Sequence, residues 1–181
     1  MGKMMMLPTL WINSLTRNLF RSQKDNRFVL PRTCLVGVGS DLCGDDSAGL
    51  IVSRKLLKQT HADNLLIVEG GPAPENVTGK LRAFHPDLVI LVDAAQMDEL
   101  PGTIQLIPLE SIDGMSASSH SLPLSMLASY LTAEIGCEVT VLGIQPGQNE
   151  IGSKLSSAVQ TAVDEVVIEL GKIFSINSLV D

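Results

Sequence analysis

Aromatic residues are scarce in this chain: one Trp, one Tyr and four Phe make up 3% of its 181 residues. A core must therefore come from Leu, Ile, Val and Ala, and unbroken runs of these suit strands buried on both faces. Long apolar runs are lacking as well. No stretch approaches the roughly 20 residues that cross a bilayer, so no membrane insertion is expected. The N-terminal segment has no continuous apolar stretch of the kind a secretory signal needs. Cysteine is sparse and odd in number, with Cys34, Cys43 and Cys137. Two of the three sit in apolar, strand-like settings, and reduced thiols in the cytoplasm are the simplest expectation. Cations are also few. Thirteen Lys and Arg face twenty Asp and Glu, for a net charge of −7.

That charge is unevenly spread. Residues 1–32 hold six basic residues (Lys3, Arg17, Arg21, Lys24, Arg27, Arg32) and one acid, Asp25, giving +5; the remainder holds seven against nineteen, giving −12. An acidic body excludes nucleic acid as a partner, because phosphate affinity needs clustered cations. The basic, acid-poor head shares its composition with organelle transit peptides. It fits equally a flexible or docked extension, or a start of translation near Met4–Met6, and its role stays open. The expected organisation is an N-terminal extension over 1–32 and a single α/β domain over 33–181.

From residue 33 short apolar runs alternate with helical patterns. Cys34–Val38 reads as a buried strand that stops in a turn rich in Gly and Asp, Gly39 to Asp45, before a helix to about Gln59 with Ala48, Ile51, Val52 and Leu56 on one face. Leu65–Val68 is a second strand, halted by Glu69-Gly70-Gly71. A short helix carries Val77, Leu81 and Phe84 and ends at His85-Pro86. Leu88–Val92 is a third strand with Asp93 at its carboxyl end. Thr103–Ile107 follows a Pro101-Gly102 turn as a shorter strand. A Ser-rich loop, 116–119, leads to His120 and a helix from about Pro123 to Ala133. Val139–Ile144 is the fifth strand. The last helix is the clearest: Val159, Ala162, Val163, Val166, Val167 and Leu170 form one apolar stripe, with Ser156 as N-cap and a break at Gly171.

Such alternation predicts a three-layer α/β/α sandwich around a mostly parallel sheet, whose sites form at the carboxyl ends of the strands. The loops after strands one and three bring Asp45, Asp46 and Asp93 to one edge, with the loop of His120 within reach. Two carboxylates repel unless one holds a proton or a cation lies between them. Asp46, Asp93 and His120 would offer a divalent ion two hard oxygens and a borderline nitrogen while leaving positions open; imidazole suits nickel, zinc, copper or iron. Each residue has a plainer reading. Asp45 and Asp46 could cap the helix, Asp93 could shape a strand-end turn, and His120 could lead into a helix. His61 and His85 lie in polar, turn-like settings and are expected at the surface.

Five stretches, in this order, resemble the hydrogenase maturation proteases: Gly37-Val-Gly-Ser-Asp-Leu-Cys-Gly-Asp-Asp46, Glu69-Gly-Gly-Pro-Ala-Pro-Glu-Asn76, Leu91-Val-Asp-Ala-Ala95, Ser119-His-Ser-Leu-Pro-Leu124 and Val141-Leu-Gly-Ile-Gln-Pro146. The branch they resemble most serves the hydrogenase of the formate hydrogenlyase complex. The resemblance spans 33–171 and implies a twisted five-stranded sheet between helix layers. It puts the family's nickel-contacting acids at Asp46 and Asp93 and its histidine at His120. The implied activity is an endopeptidase that cuts a C-terminal extension from the nickel-iron hydrogenase large-subunit precursor once nickel is in place. Nickel would then arrive with the precursor and not as a resident cofactor. Asp46 or Asp93 would serve as the catalytic base. The sequence departs from the family at Glu69, where relatives often carry Asp, at Cys43, where relatives are apolar, and in the basic head, which has no counterpart.

Three rivals differ in chemistry. A dinucleotide site would use Gly37-x-Gly39, but position 42 is Leu, and Glu69 lies 32 residues beyond Gly37 where such sites place their acid after ~20. A thiol peptidase would pair Cys43 with His120 but lacks a recognisable orienting group. A non-catalytic, nickel-sensing chaperone of the large subunit would use the same three ligands without cutting.

Overall fold

The structure, a computed structural model, describes residues 10–20, 30–114 and 122–175. Its elements run α1 (Leu10–Phe20), β1 (Thr33–Val38), α2 (Ala48–Leu57), β2 (Leu65–Gly71), α3 (Thr78–Phe84), β3 (Leu88–Ala94), β4 (Ile104–Ile107), α4 (Leu124–Ile135), β5 (Glu138–Ile144) and α5 (Ser157–Ser175). The five strands form one sheet in the order β2-β1-β3-β5-β4. Pairing is parallel throughout except at β4, which runs antiparallel to β5 on the edge. Among the described residues no helix is long and apolar enough to cross a membrane.

The central strands β1 and β3 are buried along their whole length, as their unbroken aliphatic runs require. Side chains alternate between two clusters. Leu35, Ile90, Val92 and Leu142 face α2, α5 and α1, whereas Cys34, Val36, Val89 and Leu91 face α3 and α4. The aliphatic core is thus split by the sheet into two layers, giving the three-layer sandwich that the strand–helix alternation predicts.

Helix α5 follows its stripe but does not break at Gly171. It continues to Ser175, because Ile173 and Phe174 extend the 3, 1 spacing into the same core and are both buried. Burying one such side chain is worth about 1.5–3 kcal/mol, more than the ~1 kcal/mol cost of a helical glycine. Ser156 caps the other end through a long hydrogen bond from the Val159 N–H, 3.4 Å. Helix α3 stops at His85, which takes a left-handed φ of 50° ahead of Pro86.

Strands β2 and β3 run further than their apolar runs suggest. β2 includes Glu69-Gly70-Gly71, with a register shift against Gly37 and Val38. β3 includes Asp93, so that acid sits inside the last pairs of the strand and not in a following turn. The basic head contributes structure of its own. Trp11, Leu15 and Leu19, spaced four apart on α1, are buried in the cluster that also holds α2 and α5, and the Trp11 indole donates to Glu165 at 3.0 Å.

Candidate functional site at the carboxyl edge of the sheet

The chain leaves β1 through Gly39, whose φ of 124° is open to glycine and strained for other residues. It then makes a short 3-10 turn, Gly44–Ser47, before α2 begins. Gly49 sets the height of that helix over the sheet. A Cβ there would stand 2.0 Å from the Val92 carbonyl oxygen and 2.4 Å from that of Val38. Only a bare Cα lets α2 start directly on the ends of β1 and β3, and the turn before it packs against β3.

Asp46 lies on this turn and Asp93 at the end of β3, 2% and 1% exposed. The structure therefore brings both acids to the same edge, from neighbouring parallel strands and from positions 47 residues apart in sequence. Both have partners within the protein. Asp46 also lies at the N-terminal end of α2, where the helix dipole favours negative charge. Taking two carboxylates out of water costs several kcal/mol each before compensation. Two carboxylates taken out of water at one edge are compensated by hydrogen bonds, by a proton on one of them or by a cation between them.

Asp45 has a different role. It is fully buried, yet it caps nothing in α2; Ser47 is the N-cap residue, without a side-chain cap bond. Its Oδ2 accepts the N–H groups of Gly147 at 2.8 Å and Gln148 at 2.9 Å, and its Oδ1 accepts that of Ser156 at 2.6 Å. The helix-cap reading of Asp45 is thus corrected: the carboxylate ties the first loop to the segment after β5. Spacing gave no signal of this, because the donors are more than a hundred residues away.

Two other residues lace the same rim. Gln145, buried at the end of β5, accepts the Met97 and Glu99 N–H groups on its Oε1 at 2.7 and 3.3 Å, joining the loops after β3 and β5. Arg54 on α2 holds both oxygens of Asp41 at 2.6 and 2.7 Å and reaches Glu69 at 2.7 Å, joining the first loop to the end of β2. Its guanidinium holds the Asp41 carboxyl below the ordinary carboxylate range.

The three histidines divide between the ends of the sheet. His61 and His85 are exposed and precede β2 and β3, at the opposite edge from the two acids. His120 lies outside the described residues. Among the described residues no group of three or more His, Cys, Asp and Glu side chains is arranged to hold a metal ion. All three cysteines are free. Burial pushes the Cys34 thiol up to about 12 and raises that of Cys137, which disfavours the thiolate at both. Cys43 is half-buried on the first loop, bridged in antiparallel fashion to Ile151.

Fold and site together define an α/β protein of the doubly wound class, with acids buried at the carboxyl edge of its sheet. Known proteins of that description narrow the class. A family model for hydrogenase maturation proteases of the HycI type matches residues 51–172. The hydrogenase 3 maturation protease of Escherichia coli K12 is 34% identical over 133 residues, 73% of this chain and 84% of that protein. The crystal structure of a nickel-iron hydrogenase maturation protease HycI from Thermococcus kodakarensis KOD1 superposes with a TM-score of 0.77 at 28% identity, covering 89% of this chain and 99% of that one. The solution structure of the endopeptidase HycI from Escherichia coli gives 0.70 at 33% identity, covering 77% and 89%. The chain belongs to the hydrogenase maturation protease family.

Proposed function

We propose that this peptidase removes the C-terminal extension of a nickel-iron hydrogenase large-subunit precursor after nickel insertion, reading the inserted nickel through Asp46, Asp93 and His120. One observation carries the reading: two carboxylates distant in sequence are both buried at the edge where α/β sheets hold their sites. His120 enters as the third ligand by resemblance, and His61 and His85 lie at the other edge.

A site of three ligands with open positions holds the precursor tightly only when the precursor presents its metal, so nickel occupancy becomes differential affinity. Nickel is therefore part of the substrate. For hydrolysis, Asp46 or Asp93 takes a proton from a water at the edge; the resulting hydroxide adds to the scissile carbonyl, and the proton passes to the departing amine. The metal of the substrate supplies Lewis acidity to that step. Three free thiols agree with a cytoplasmic setting.

The test is to incubate the purified chain with nickel-loaded and nickel-free precursor and follow the intact mass of the large subunit. Loss of the extension in the loaded sample alone is expected. Binding without shortening would make the chain a non-catalytic nickel-sensing chaperone, and equal cutting of both samples would remove nickel from the reading.

A further inference from the structure

The site as proposed uses Asp46 and gives its neighbour Asp45 no part, yet Asp45 is held by distant main-chain groups. Its side chain is fully buried and accepts three main-chain N–H groups, 102, 103 and 111 residues further along. Its own N–H returns a bond to the Gln148 carbonyl at 3.0 Å. The same two segments meet again at the Cys43–Ile151 bridge and through the Gly152 N–H on the Leu42 carbonyl, 2.8 Å. Contact is so close that a Cβ on Gly44 would stand 2.3 Å from Ser153 Oγ and 2.8 Å from the Gln148 carbonyl oxygen. On its other side the turn is pressed on the strand exit, where a Cβ on Gly39 would stand 1.8 Å from the Asp46 carbonyl oxygen. The turn carrying Asp46 is thus gripped from both sides, and on the β5 side one carboxylate takes three of the hydrogen bonds in that grip.

We propose that Asp45 is a positioning residue for the cleavage reaction: it clamps the segment 147–156 to the 3-10 turn and thereby fixes where the Asp46 carboxylate stands. The inference rests on the peptidase reading above. An amide cannot replace the acid. Both oxygens are occupied by N–H donors, so either orientation of an Asn at position 45 sets an NH2 group against at least one of them. The turn then shifts, and Asp46, covalently next, shifts with it. Displacements of an ångström at a reacting group cost rate more than binding, by up to about a hundredfold.

The experiment compares wild type, Asp45→Asn and Ser156→Pro on nickel-loaded precursor, at a temperature where circular dichroism shows each fully folded. Ser156→Pro removes one of the three donors from the far side and leaves the 3-10 turn untouched in sequence. In Asp45→Asn, kcat is expected to fall ~10- to 100-fold while KM changes less than about threefold. Ser156→Pro is expected to show the same pattern more weakly. Wild-type turnover in folded Asp45→Asn overturns the proposal, as does a loss that resides wholly in KM. If Asp45→Asn does not fold, Ser156→Pro decides by the same criterion. Failure of the wild-type arm itself to shorten the precursor marks failure of the peptidase reading, and this inference goes with it.

Discussion

The two edges of the sheet are built by opposite rules. At the carboxyl edge Asp45, Asp46 and Asp93 are buried, the backbone is pressed together at Gly39 and Gly49, and loops are tied by side chains that accept main-chain N–H groups. At the amino edge the charged groups are exposed. Arg32 lies over the Phe84 ring at 4.5 Å and donates to the Phe84 carbonyl at 3.2 and 2.6 Å, Asp87 accepts the Arg32 N–H at 2.8 Å, and His61 and His85 face solvent. Surface charges of that kind contribute little to stability, whereas a buried carboxylate is costly and persists where its position matters. The contrast separates a scaffold end from the end to which the proposed function assigns the reaction, the working end.

Breaking the close packing at the working end has the largest expected effect. Gly49→Ala drives a methyl group into two carbonyl oxygens, so α2 must lift from the sheet. Stability is expected to fall by about 3 kcal/mol, measured by urea unfolding. At the scaffold end Arg32→Ala removes an exposed stacking contact and two hydrogen bonds, and about 1 kcal/mol or less is expected by the same measurement. A near-equal cost for the two would erase the distinction. Thiols report the same difference without mutation. Cys43, half-buried on the first loop, is expected to react with an alkylating reagent ahead of Cys137, which is buried before β5, and of Cys34. Labelling of Cys34 in the folded chain would contradict its burial. The smallest effect concerns the Arg54–Asp41 pair. The Asp41 carboxyl is lowered from its ordinary value of 3.8. Its contribution is therefore complete above that pH and is lost as pH falls through the lowered value. In Arg54→Gln, stability should fall off less steeply below about pH 4 than in wild type, by a few tenths of a kcal/mol because the pair is exposed.

Much of the scaffold is legible in the residues. Runs such as Leu88–Val92 are aliphatic without interruption because both faces are covered, and all five expected strands and the amphipathic stripe of α5 are present. The antiparallel course of β4 is not legible, since four residues with no distinct pattern pair equally well either way. The helix in the head was hidden by its charges. Trp11, Leu15 and Leu19 repeat every four residues, but Arg17 among them gives the segment a basic composition that masks the stripe. At the site, the places of Asp46 and Asp93 after strands one and three are legible in the sequence, and the structure sets both at one edge. Sequence could not separate Asp45 from Asp46, because adjacent acids on a turn look alike until their distant partners are known. His120 falls outside the described residues, so its place at the rim rests on the proposal.

The most direct test of that proposal is the intact mass of the large subunit after incubation of nickel-loaded precursor with Asp46→Asn, Asp93→Asn and His120→Gln, each shown to be folded by its thermal midpoint. The account predicts that all three leave the extension in place under conditions where the wild type removes it. Complete processing by any one of them would contradict the claim that these side chains meet over the metal of the substrate.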